Sequence, residues 1–185
     1  RHDAELLEDY LKTETDSFMR QRYTFYPAQS WRDCGEDWQA YKTYRERAKM
    51  GGWHEEIYLS LLYAARLLNS ENDSITTLDL YKQAIAVNPK RAEAIHDAAR
   101  ICRLNRLYNE GYAIAKQGVR LPLWRGLFVE AWIYAYGVLD EFALCAYYTD
   151  QHVESWLACQ MILRGDGLTD ATRKRIEENA AFATI

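Results

Sequence analysis

The chain has 185 residues, with 23 Lys and Arg against 27 Asp and Glu and a formal net charge of −4, so it has no bulk electrostatic drive toward nucleic acid or an anionic membrane. Leu, Ala and Tyr are plentiful, three prolines occur and β-branched runs are few, which points to an all-α protein; six Trp and fourteen Tyr suit repeat packing and binding grooves. The most apolar stretch, residues 126–148, is broken by Glu130, Asp140 and Glu141, so no membrane span is expected.

Residues 3–11 (DAELLEDYL) read as an amphipathic helix with Leu6, Leu7 and Leu11 inward. Asp16 or Ser17 is a candidate cap for the next helix. The first complete unit spans residues 18–52, with helices over 20–34 and 37–50 split by Gly35. Pro27 stands where a core Leu is expected. Proline inside a helix removes a hydrogen bond at a cost of about 3 kcal/mol, which predicts a kink or a late helix start. Gly51-Gly52 ends the unit. The second, residues 53–89, has helices near 55–68 and 74–87, a polar connector at 69–73 (NSEND), and Asn88-Pro89 as its close.

The third unit, residues 91–122, is RAEAIHDAARICRLNRLYNEGYAIAKQGVRLP, two antiparallel helices joined by a short polar turn. Ile95, Ala98, Ala99 and Cys102 fall at i, i+3, i+4, i+7 on one face, and Tyr108, Gly111, Ala115 and Gly118 repeat that spacing. Gly111 and Gly118 cost helix propensity, so a neighbouring helix is expected to approach closely there. Pro122 stops the second helix. An apolar insertion, residues 121–130 (LPLWRGLFVE), precedes a fourth unit over 131–164 that splits near 149–152. A terminal helix over 169–182 carries Arg173, Lys174, Arg175, Glu177 and Glu178, the polar face that a last repeat needs.

Sliding one unit over the next brings Ala28, Ala65, Ala99 and Ala143 into one slot. In the second helices, Ala40, Thr77, Gly111 and Ser155 share a slot, and Tyr44, Tyr81, Ala115 and Cys159 share the next. A period of about thirty-four residues with small residues at the helix crossing is the tetratricopeptide signature. The expected fold is all-α, with tetratricopeptide-like antiparallel helix pairs forming a short right-handed solenoid. Nothing resembles a flexible linker, so one helical-repeat domain is expected. The chain begins at Arg1 inside a helical pattern, without a signal peptide, and reads as a fragment of a longer protein.

In this repeat class the first helix of each pair lines the concave face. That places Arg22, Gln29, Arg32, Arg66, Asn69, His96, Arg100, Arg103, Tyr147 and Tyr148 along the groove. Clustered arginines suit bidentate binding of carboxylates or phosphates; the competing reading is a solvated face or ion pairs with neighbouring helices. In and just after the insertion, Trp124, Phe128, Trp132, Tyr134 and Tyr136 form either an interface with another domain or subunit, or an irregular core plug. Chemistry finds little support. His2, His54, His96 and His152 are scattered, His54-Glu55-Glu56 lacks the second His of a zinc helix, and no Gly-rich phosphate loop or GxSxG occurs. No catalytic site, metal site or cofactor is expected. Cys34, Cys102, Cys145 and Cys159 show no ligand spacing and read mostly as reduced core residues of a cytoplasmic protein.

The segments DAELLEDYLKTETD, RYTFYPAQSWRDCGE, KMGGWHEEIYLSLLYAARLL, NPKRAEAIHDAARICR and LFVEAWIYAYGVLDEFALCAYYT together resemble the helical region that follows the catalytic domain in bacterial family-two glycosyltransferases with tetratricopeptide-like repeats. The resemblance covers nearly the whole chain; Pro27 departs from its pattern. It implies a non-catalytic module of a sugar-transferring enzyme whose partner is a protein segment, the parent catalytic domain or a glycan acceptor. Those enzymes use a nucleotide-sugar donor and an acidic metal-binding motif, neither of which is present, so no catalytic residue carries over. The alternatives are a free-standing adaptor that binds an acidic peptide, and an enzyme fragment whose insertion completes an active site with another domain.

Overall fold

In the computed structural model, which describes residues 2–69 (the Asn69 side chain excepted) and 73–183, the helical periodicity becomes ten α-helices and one π-helical turn. The contacts divide the chain at Pro89, the end of the second sequence repeat, into two compact units, Arg1–Pro89 and Lys90–Ile185.

The first unit contains α1 (His2–Leu11), α2 (Ser17–Asp33), α3 (Asp37–Lys49), α4 (His54–Asn69) and α5 (Ser74–Val87), each packed on the next. Asp16 is the cap of α2, its carboxylate accepting the Met19 amide at 2.9 Å. Asp73 caps α5 through the Thr76 amide at 3.1 Å. The rest of the polar connector, residues 70–72, and the Asn69 side chain lie outside the described residues. Gly35 (φ +78°) and Gly51 (φ +72°) take the left-handed conformation that ends α2 and α3.

Pro27 does not delay α2. The helix starts ten residues earlier and runs through it, and Pro27 is buried beside Phe25, Ala28 and Trp31. Trp31 donates its indole N–H to Glu8 at 2.7 Å, tying α2 to α1. Tertiary packing on this face outweighs the hydrogen bond that Pro27 cannot donate.

The second unit contains α6 (Glu93–Leu104), α7 (Tyr108–Gly118), a π-turn (Ile133–Gly137) running into α8 (Val138–Tyr147), α9 (His152–Leu163) and α10 (Asp170–Phe182). Residues 121–130 form no helix, and α7 ends at Gly118, ahead of Pro122. Gly111 and Gly118 sit at close helix crossings. A Cβ on Gly111 would lie 2.8 Å from Cys145 Sγ, and one on Gly118 would lie 2.9 Å from Ile95 Cγ2 and Val138 Cγ1. Thr169 caps α10 through the Thr172 amide at 3.1 Å.

All the repeat slots are buried: Ala28, Ala65, Ala99 and Ala143; Ala40, Thr77, Gly111 and Ser155; Tyr44, Tyr81, Ala115 and Cys159. The small residues therefore stand where paired helices cross. Cys102, Cys145 and Cys159 are buried thiols, whereas Cys34 lies exposed at the end of α2, which corrects its expected place in the core. Among the described residues no helix is long and apolar enough to cross a membrane.

Candidate partner-binding faces

In the first unit, α2 and α4 carry the expected groove positions. Arg22 is exposed, its guanidinium 5.9 Å from the centre of the Tyr26 ring. Gln29 is half-buried. Arg32 lies 4.6 Å over the Tyr63 ring and bonds Asp33 Oδ1 through Nε and Nη2, at 3.2 and 3.0 Å. Arg66 is half-buried and engaged by its neighbours. Beneath this face the Tyr44 ring packs 5.5 Å from Tyr63, and burial pushes its phenol above the ordinary tyrosine range.

In the second unit, His96, Arg100 and Arg103 form one stripe of α6 at i, i+4 and i+7. They differ in state. His96 is buried, with Nδ1 2.8 Å from Asp97 Oδ1 and Trp132 packed edge-on at 5.0 Å. Arg103 grips Glu141 of α8 through Nε and Nη2, at 2.7 and 3.0 Å. Between them Arg100 is exposed and makes no ion pair among the described residues. On α8, Tyr147 packs edge-on against Tyr148 and His152, while the exposed Tyr148 stacks on Tyr108 at 4.3 Å. The expected groove arginines thus differ: Arg32 and Arg103 have carboxylate partners, and Arg22 and Arg100 make no ion pair among the described residues.

The segment after α7 is anchored by a buried charge network that the sequence pattern does not reveal. Arg91 bonds both oxygens of Glu93, Nη2 to Oε1 at 2.9 Å and Nε to Oε2 at 3.1 Å, with both side chains fully buried. The Tyr134 hydroxyl donates to Glu93 Oε2 at 3.1 Å and accepts the Ala92 amide at 3.2 Å; the Glu130 amide reaches Glu93 Oε1 at 3.3 Å. Tyr134 therefore faces inward, and burial pushes its phenol above the ordinary range. Trp124 is half-buried and engaged. Phe128 and Trp132 remain exposed, at 54% and 43%, and Phe128 holds φ +51°, an unusual conformation for a bulky residue. The π-turn sets Trp132 against Gly137, whose added Cβ would lie 2.8 Å from the indole. The acidic–basic spacing Arg91-x-Glu93 was the available signal, but pairing at i, i+2 is not a helix-face pattern.

No protein-family model matches the chain, and no curated protein matches it in sequence. Among solved structures, one described as a MamA RS-1 ArsTM double mutant is similar, with a TM-score of 0.63 and 11% identity over 91% of this chain and 93% of that one. The chain has a tetratricopeptide-like fold. At that identity the likeness speaks for the fold alone. In tetratricopeptide-like terms, α6 and α8 are the first helices of their pairs, and the stripe through Arg100 lies on α6.

Proposed function

We propose that the chain is a non-catalytic protein-interaction module, and that the α6–α8 face of the second unit binds a partner segment carrying a carboxylate. The observation that carries this reading is Arg100. It is an exposed cation without an ion pair among the described residues, between Trp132 over His96 and the neutralised Arg103–Glu141 pair. An aromatic side chain beside an available guanidinium is the composition of an interface hot spot. Trp132, packed edge-on against His96 and 43% exposed, adds apolar contact area beside the stripe. The resemblance to the helical region of glycosyltransferases supports a place in a multidomain sugar-transferring enzyme, with its catalytic domain, another protein or a glycan acceptor as the partner, and the cysteine usage supports a cytoplasmic location.

The test is calorimetry of the purified chain against acidic peptides, nucleotide-sugars and oligosaccharides, with Arg100→Ala and Trp132→Ala as controls. An acidic peptide is expected to bind, and Arg100→Ala to weaken it about tenfold, the loss of one charge-assisted contact. Binding of an oligosaccharide that Trp132→Ala alone abolishes makes the face an acceptor site. Silence toward every class sinks the reading.

A further inference from the structure

The second unit carries another surface, on the side of α8 away from Glu141. α7 and α9 flank α8 without a packed seam of their own, and the gap between them is a groove of about 670 Å³. Leu139 and Phe142 of α8 floor it, and Val119, Leu157 and Met161 line its walls.

α9 supplies the apolar wall of this groove. Its sequence, HVESWLACQMIL, buries Ser155, Ala158, Cys159 and Ile162 against the unit. It then repeats an apolar stripe on the outside: Val153, Leu157 and Met161, at i, i+4 and i+8, are 72%, 49% and 54% exposed. A helix with apolar residues on both sides is built to be covered on both sides. The stripe runs about 12 Å, two turns of helix, so it matches a partner helix better than a compact small molecule.

The charges on the walls set the sign of that partner. Glu154 is the groove's carboxylate, and it is already satisfied: Lys116 Nζ lies 3.2 Å from its Oε1 and the Tyr112 hydroxyl donates to its Oε2 at 2.7 Å. Arg120 lines the same groove, is exposed, and makes no ion pair among the described residues. The uncompensated charge is therefore positive and sits beside the apolar stripe.

We infer that the α7–α9 groove docks an amphipathic helix of a partner protein, with its apolar stripe on Leu139, Phe142, Leu157 and Met161 and a carboxylate on Arg120. This surface is separate from the α6–α8 face, so the module holds two partners, or two segments of one, at once.

The probe is a labelled peptide of about 16 residues, long enough to be helical when docked, with Leu at i, i+3, i+4 and i+7 and Glu flanking the stripe; a second peptide carries Lys in place of Glu. Fluorescence anisotropy at physiological salt is expected to show micromolar binding of the Glu peptide and binding of the Lys peptide weaker by about tenfold. Arg120→Glu should reverse that order. Leu157→Asp and Met161→Asp should each abolish binding of both peptides with the far-UV circular dichroism unchanged, since both side chains are exposed. Arg100→Ala should leave binding as it was, which separates this groove from the α6–α8 face. A silent Glu peptide, equal binding of both charge forms, binding that survives Leu157→Asp, or binding lost in Arg100→Ala overturns the inference.

Discussion

Tyr134 and Glu93, forty-one residues apart, meet in a hydrogen bond of 3.1 Å that closes the buried charge network around Arg91. Through it, and through the Glu130 amide on the same carboxylate, the start of α6 holds the π-turn and the C-terminal end of the irregular segment between α7 and α8. Removing one member of a buried pair leaves the other charge without compensation, at about 3–5 kcal/mol. Glu93→Ala should therefore cost that much, read by urea unfolding followed by circular dichroism. Tyr134→Phe keeps the ring and removes two hydrogen bonds, for about 1–2 kcal/mol. It should also speed proteolytic nicking within residues 121–130 while α6 stays protected. Equal cleavage rates in Tyr134→Phe and the wild type count against the anchoring role.

The first unit has its own buried pair. Arg47 donates Nε and Nη2 to Glu56 Oε2 at 3.2 and 2.9 Å, and Nη1 to the Gly51 carbonyl at 2.8 Å. The three contacts fix the turn from α3 to α4. Glu56→Ala is expected to destabilise by about 3–5 kcal/mol, whereas the double change Arg47→Met with Glu56→Leu should cost much less, because neither charge is then left alone. A double-mutant cycle in urea measures this. If the costs of the single changes simply add, the pair is not a coupled unit.

Gly111 decides how closely α7 approaches its neighbours. Substitution by Ala gains up to about 1 kcal/mol of helix propensity. The added Cβ would stand 2.8 Å from Cys145 Sγ, 3.1 Å from Cys102 Cβ and 3.3 Å from the Ala99 carbonyl oxygen. Overpacking of this kind costs about 1–3 kcal/mol, and backbone at Ala99 cannot swing aside, so the clash outweighs the gain. Gly111→Ala should lower the melting temperature, and Cys145→Ala in the same chain should restore part of it. A rise in melting temperature for Gly111→Ala would refute the close-approach reading.

The repeat was legible because sterics choose residue type directly. Ala99, Gly111 and Ser155 are small where helices cross, and that is visible without coordinates. The charge partners were not legible. Arg103 and Glu141 are 38 residues apart, and nothing local to either says that the two helices will bring them together. The same holds for Trp132. Its place over His96 depends on the π-turn Ile133–Gly137, whose IYAYG text has no helical period to read. At Pro27 the expected late helix start does not occur, because packing around Phe25 and Trp31 carries α2 through it. Spacing alone puts His96, Arg100 and Arg103 on one face of α6, while which of them is paired depends on contacts made by other helices.

The cysteines yield a prediction about reactivity and pH. Burial pushes the Cys145 thiol from its ordinary 9.0 up to about 12, with the Glu141 carboxylate adding to the rise. Burial likewise takes Cys159 to about 11, with Asp140 adding. Cys34 is exposed at the end of α2. Thiolate is the nucleophile, so iodoacetamide at about pH 8 should modify Cys34 in the folded chain and leave Cys145 and Cys159 intact until denaturant is added. For stability, the folded chain disfavours the thiolate and the unfolded chain does not. The contribution of these two thiols is therefore complete below about pH 9 and declines as the pH climbs through 11 toward 12. Melting temperatures between about pH 8 and 10.5 should fall more steeply for the wild type than for Cys145→Ala with Cys159→Ala, which isolates the thiols from the tyrosines and lysines that titrate nearby. Identical slopes, or alkylation of Cys145 in the native chain, would show that the α7–α8 crossing opens far more often than its packing implies.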